Sequence, residues 1–137
     1  MFELTMNKRC KGPVERVFAA WGTADQVKRW FAPGDMSVSQ AEIDFRVGGS
    51  YRIVIQRPDG QTHIVGGIYR EIVTNERLSF TWSWEGSGVT SEVELSFRPV
   101  GAQTDLTLVH RQIPTAESLD SHQHGWESCL DKLVALD

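Results

Sequence analysis

The sequence predicts an α+β fold in which a curled antiparallel sheet wraps around one long C-terminal helix. Three observations predict it. Almost everything between Ser37 and Arg111 reads as strand. The last stretch, Thr115 to Leu136, carries Leu119, Trp126, Leu130 and Leu133 at helical spacing, with His122 filling the gap between Leu119 and Trp126. One strand and two short helical segments precede the sheet. A helix of that length runs about 30 Å at about 1.5 Å per residue, the width of a small domain. After a long sheet it has one economical place to go, across the sheet's apolar face.

In chain order, Phe2, Leu4 and Met6 alternate with Glu3, Thr5 and Asn7, which predicts a half-buried strand reaching to Lys11. Gly12-Pro13 breaks it, and Pro13 suits a helix's first turn. Val14, Val17, Phe18 and Trp21 form a helical stripe. Thr23 and Asp25 restart a shorter helix with Val27, Trp30 and Phe31 on its apolar side, and Ala32-Pro33-Gly34 closes it. Val38 to Phe45 reads as a strand with one wet face, and Gly48-Gly49 as a tight turn or bulge. Tyr51, Ile53 and Ile55 alternate with Arg52, Val54 and Gln56 up to a strong hairpin signal, Pro58-Asp59-Gly60. His63, Val65, Gly67 and Tyr69 share one face of the next strand. Leu78, Phe80, Trp82 and Trp84 make the clearest period-two run, followed by Val93, Leu95 and Phe97, then Leu106, Leu108 and His110. In the last helix Thr115 is the expected N-cap, with Glu117 and Asp120 near its start and Lys132 near its end, as the helix dipole favours. Consecutive hairpins make a meander whose twist curls it, leaving a cavity wherever side chains do not fill the space against the helix.

The chain has 137 residues, enough for one domain over 1–137. Its net charge of -4 and lack of a clustered basic patch exclude nucleic acid as the expected partner. No apolar run spans a bilayer and the N-terminus lacks a signal-peptide pattern, so no membrane partner and a cytoplasmic location are expected. Cys10 and Cys129 form no spacing motif and are expected to be reduced thiols. Nothing in the sequence requires an oligomer, so monomer and homodimer both stand.

Several stretches together resemble a known family. Pro13-Val14-Glu15-Arg16-Val17-Phe18 followed by Trp21, then Trp30-Phe31, resembles the opening of the START-like helix-grip superfamily. Further matching stretches are Asp44-Phe45-Arg46-Val47-Gly48-Gly49-Ser50-Tyr51, Pro58-Asp59-Gly60 and Glu76-Arg77-Leu78-Ser79-Phe80-Thr81-Trp82. With Thr104-Asp105-Leu106-Thr107-Leu108-Val109-His110 and His124-Gly125-Trp126, these are similar to the family named for the activator of heat-shock-protein-90 ATPase. The resemblance implies the order β-α-α-β6-α and a pocket between sheet and helix. It leaves activity open, because the superfamily includes lipid and hormone carriers, polyketide cyclases, aromatases and co-chaperone domains.

The candidate chemistry is sparse. His110 shares a strand face with Leu106 and Leu108, so it either points into a cavity as ligand contact or general base, or is a hydrogen-bonded core histidine. The residues favour the core reading, since no orienter or nucleophile accompanies it. Trp82 and Trp84, with Tyr51, Tyr69, Trp30 and Trp126, are candidates to line a pocket for a flat or aliphatic ligand. For Trp30 and Trp126 a place in the core is the simpler reading. Asp44 and Arg46 share a strand face and read as an ion pair pinning the strand, with carboxylate capture by Arg46 as the alternative. His122 lies on the buried stripe, where it could meet His110, while His124 diverges from it; two apart on a helix is not metal spacing, and no metal is expected. Gly48-Gly49 is no phosphate loop, no GxSxG occurs, and no cofactor is implied.

The leading expectation is a protein that binds a hydrophobic small molecule through Trp30, Tyr51, Tyr69, Trp82, Trp84, His110, His122 and Trp126. The alternatives are a cyclase- or hydrolase-like enzyme using His110 in the same pocket, and a chaperone-associated protein-binding module with a stress-response role.

Overall fold

The computed structural model describes residues 1–136. The domain expected over 1–137 ends one residue beyond them, at Asp137. The apolar alternation folds as strand β1 (Phe2–Cys10), helices α1 (Val14–Ala19) and α2 (Ala24–Val27), and strands β2 (Ser37–Ile43) and β3 (Ser50–Gln56). Strands β4 (Thr62–Val73), β5 (Arg77–Trp84), β6 (Ser91–Val100) and β7 (Gln103–Ile113) follow, then helix α3 (Ala116–Val134). The strands form one antiparallel sheet in the order β1-β7-β6-β5-β4-β3-β2. Strands β2 to β7 are the expected meander, and β1 closes the far side against β7.

Period-two alternation puts one face of every central strand inside. Ile53 and Ile55 of β3, Val65 and Tyr69 of β4, and Phe80 and Trp82 of β5 are buried, as are Val93 and Leu95 of β6 and Leu106, Leu108 and His110 of β7. Gly66 and Gly67 pair without a break in the register. The shift in β4 falls after Tyr69: Tyr69 opposes Phe80 and Ile72 opposes Leu78, so β4 spends one extra residue there. Gly48-Gly49 turns the chain between β2 and β3, with Gly48 at a φ of 85°.

Three boundaries differ from the sequence reading. Helix α1 ends at Ala19, before Trp21, and α2 ends at Val27, before Trp30 and Phe31. Those three aromatic residues are nevertheless buried, because the turns after each helix carry them into the core. Strand β2 stops at Ile43, and Phe45 beyond it packs edge-on against Phe18 and Tyr69.

Helix α3 begins where expected. The Thr115 hydroxyl accepts a hydrogen bond from the Ser118 backbone N–H at 3.0 Å. The helix lies on the inner face through Trp126, Cys129, Leu130 and Leu133. Lys8 of β1 ties it down through Glu127 and Asp131. Lys132 donates to the carbonyl oxygens of Ala32 and Gly34, and the Ser128 hydroxyl accepts from Gly34 N–H at 2.7 Å. The Ala32–Gly34 loop is therefore latched to α3. No helix among the described residues is long and apolar enough to cross a membrane.

Candidate functional site

Where α3, β5, the β3–β4 hairpin and the loop after α2 converge, side chains do not fill the space. A cavity of about 400 Å³ remains. Its walls are Phe31, Pro33 and Met36 from the loop side, Ile55, Arg57 and His63 from the hairpin, and Trp82 and Trp84 from β5. Helix α3 contributes Ser121, His122, Gly125, Trp126 and Cys129. The volume falls in the range of about 300–1,000 Å³ usual for small-molecule sites.

Each wall follows from local sequence. Trp82 and Trp84 stand two apart on β5, so both project inward, with rings edge-on at 5.5 Å. An indole N–H buried without an acceptor carries a desolvation cost. Both Trp82 Nε1 and Trp84 Nε1 donate to one atom, His122 Nε2, at 3.2 and 3.1 Å. His122 Nδ1 stands 2.7 Å from the Ser118 carbonyl oxygen one turn earlier, so the ring proton sits on Nδ1 and the Nε2 lone pair faces the indoles.

His110 stands behind this wall. It has no solvent exposure, and its ring lies 4.8 Å from that of His122. Trp126 Nε1 donates to His110 Nδ1 at 3.0 Å, which puts the His110 proton on Nε2. Nε2 then donates to Ser91 Oγ at 2.7 Å, and Ser91 Oγ donates to the Trp82 carbonyl. Burial, and secondarily His122, push the His110 pKa down to about 3. Its one lone pair is occupied by an indole N–H, so His110 acts as a neutral strut that orients Trp126. Burial likewise pushes the Cys129 thiol up to about 12, so the cavity holds a thiol and not a thiolate nucleophile.

Four of the eight residues expected at the site, Trp82, Trp84, His122 and Trp126, come together on the cavity wall. The other four stand elsewhere. His110 touches three wall residues, Trp82, His122 and Trp126, without lining the space. Trp30 is core: its Nε1 donates to the Ala20 carbonyl at 3.0 Å and its ring packs against Trp21. Tyr51 and Tyr69 line a separate cleft of about 20 Å³, the size of a water molecule, and the Tyr51 hydroxyl donates to the Thr81 carbonyl at 2.6 Å. Tyr69 opposes Phe80, two residues from Trp82, and Tyr51 opposes Gly67 on β4, two strands from Trp82, so both rings line that cleft and neither lines the cavity. Asp44 and Arg46 form the expected ion pair, Arg46 Nε meeting Asp44 Oδ2 at 2.9 Å, but in the loop after β2 and not on a strand face. Among the described residues no cluster of three or more metal-ligating side chains occurs.

The sequence reading missed Arg57, His63, Gly125 and the loop residues Phe31, Pro33 and Met36. A signal for the first two existed. Arg57 continues the inward face of Ile53 and Ile55, and His63 sits directly opposite Ile55 in the register. Gly125 lies in α3 directly before the buried Trp126. An added Cβ there meets nothing within 4 Å, so the glycine keeps space open rather than letting a neighbour approach.

Comparison with known proteins places this geometry in a family. A family model described as activator of Hsp90 ATPase homolog 1-like protein matches residues 11–136. No curated protein matches the chain by sequence. The crystal structure of a Chromobacterium violaceum protein is similar over 98% of this chain and 96% of that one, at 28% identity and a TM-score of 0.89. The AHSA1 protein of Silicibacter pomeroyi, also 28% identical, covers the same shares with a TM-score of 0.88. An AHSA1-like protein from Aeromonas hydrophila, at 23% identity, shares the fold with a TM-score of 0.83 over 97% of this chain and 90% of that one. With the family match running from residue 11 to residue 136 on a helix-grip sheet and helix, the chain belongs to the activator of Hsp90 ATPase homolog 1-like family of the START-like superfamily.

Proposed function

We propose that this protein binds a small apolar or aromatic molecule in the cavity between β5, the β3–β4 hairpin and α3. One observation carries the reading: a cavity of about 400 Å³ whose indole and imidazole polar atoms already satisfy one another. Such a wall offers flat apolar area at little polar desolvation cost, which suits a hydrophobic guest. The engaged nitrogens of His110 and His122 and the protonated Cys129 weigh against proton transfer or nucleophilic attack as the cavity's task.

The test uses Gly125. Gly125→Leu replaces the poorest non-proline helix former with a good one, worth about 0.5–1 kcal/mol to α3, while its side chain enters the open space. The wild-type protein is first screened by native mass spectrometry and thermal shift against fatty acids, flavonoids and polyketide-like aromatics. A guest that binds only the folded state raises its melting temperature. The variant is expected to melt no lower than wild type and to bind the same guest at least about tenfold more weakly. Undiminished binding by Gly125→Leu would place the guest elsewhere. No guest in any class, together with co-purification of the cell's heat-shock-protein-90 homologue, would favour the protein-binding reading that the family's description suggests.

A further inference from the structure

We infer that the cavity is built for a monoanion: an apolar or aromatic acid whose carboxylate meets Arg57 at the mouth while its body lies against Trp82 and Trp84. This deepens the reading above and rests on it. Arg57 is the one permanently charged side chain in the lining, and no carboxylate accompanies it. A cationic guest would meet repulsion with no compensating partner, and a neutral guest would leave the guanidinium unused.

Arg57 is positioned by the hairpin. Pro58-Asp59-Gly60 closes with Arg57 N–H on the Gln61 carbonyl at 2.8 Å, Gly60 N–H on the Arg57 carbonyl, and Gln61 N–H on Asp59 Oδ1. Gly60 takes a φ of 91°, which the turn requires. The turn sets Arg57 diagonally across from His63 on the inward face. Arg57 Nε donates to His63 Nε2 at 3.1 Å, and the His63 ring stands edge-on to Trp84. One corner of the guanidinium is thus braced against the aromatic wall. Among the described residues His63 is its only side-chain partner, whereas Arg52 on the same hairpin spends its guanidinium on Glu85. The two terminal nitrogens remain to grip a carboxylate through paired N–H groups. With one arginine and no lysine in the lining, the site matches one negative charge and not a phosphate dianion. The protein's net charge of -4 makes this local, since the overall field disfavours anions.

Three shape-matched probes test it: 2-naphthoate, neutral 2-naphthylmethanol and cationic 2-naphthylmethylammonium. Their affinities are measured by calorimetry at low salt on wild type, Arg57→Gln and Gly125→Leu. Wild type is expected to prefer the naphthoate over the alcohol by about tenfold and to bind the cation most weakly. Arg57→Gln, an exposed substitution, is expected to erase the preference while holding the alcohol within about twofold. Equal wild-type affinities for naphthoate and alcohol would overturn the inference and leave the cavity reading intact, as would a preference that survives in Arg57→Gln. Full naphthoate binding by Gly125→Leu would overturn it by showing that Arg57 holds the acid at the surface. Failure of all three probes on wild type, where the wider screen has found a guest, would overturn the inference and leave the cavity reading intact; failure of the probes and the screen would remove both.

Discussion

Acidification from pH 6.5 to about 4.5 is expected to remove about 2.5 kcal/mol of folding stability through His110 alone. The unfolded chain takes up a proton on this side chain near pH 6.5, and the folded chain resists until about pH 3. Between those values the unfolded state holds more protons, so stability rises with pH. His110's contribution is complete above about 6.5 and is lost as the pH falls toward 3, at up to about 1.4 kcal/mol per unit. The cause is geometric as well as dielectric. A second proton must go to Nδ1, where the Trp126 N–H already points, on a ring with no solvent exposure. Urea denaturation at pH 7, 6, 5 and 4.5 measures this, with His110→Gln as reference. The variant is expected to be about 1–3 kcal/mol less stable at pH 7, because the Trp126 indole loses its acceptor. Its stability is expected to change less than wild type's between pH 6.5 and 4.5. A wild-type profile that runs parallel to the variant's would remove His110 from the linkage. The same network argues that His110 is a strut for the indole wall: the nitrogen a general base would need is the one holding Trp126.

Much of this arrangement was legible in the sequence. Period-two runs through Trp82 and Trp84 placed both indoles inward, and the stripe of α3 placed His122 and Trp126 against them. The family resemblance supplied the way sheet and helix come together, which no local pattern contains. Three things were not legible. Trp30 and Tyr51 carry the same inward signal as Trp82, but Trp30 sits in the turn after α2 and Tyr51 two strands away on β3, and neither reaches the cavity. The loop wall from Phe31 to Met36 depends on contacts with residues about a hundred positions away, Ser128 and Lys132, which local sequence does not specify. His110 and His122 looked alike as isolated inward histidines. Their different roles are set by which indole nitrogens reach which ring atoms, and those partners come from one strand and a helix.

Gly67→Ala is expected to cost about 3 kcal/mol or more, although alanine adds a single methyl group. The reason lies in how Tyr51 is anchored. Tyr51 on β3 is directly opposite Gly67 on β4, and its hydroxyl reaches across that bare position to the Thr81 carbonyl on β5. Thr81 answers with its side chain, whose Oγ1 accepts from Ile68 N–H at 2.8 Å. A Cβ on Gly67 would press on the Thr81 carbonyl oxygen more closely than real Cβ atoms approach anything, and would stand 2.7 Å from Oγ1. Backbone cannot rotate away as a flexible side chain can, so β4 and β5 must part. Both hydrogen bonds to Thr81 then weaken at about 1 kcal/mol each, on top of the strain. Gly60→Ala is the contrasting case. Its Cβ meets nothing within 4 Å, and only the φ of 91° opposes it, so about 1 kcal/mol is expected. Chemical denaturation of the two variants side by side separates crowding from backbone strain, and equal losses would refute the crowding account. Because Thr81 directly precedes Trp82, any parting of the strands passes into the indole wall. The Trp82–His122 hydrogen bond is therefore expected to be disturbed in Gly67→Ala and intact in Gly60→Ala, which the indole N–H resonance of Trp82 reports by NMR.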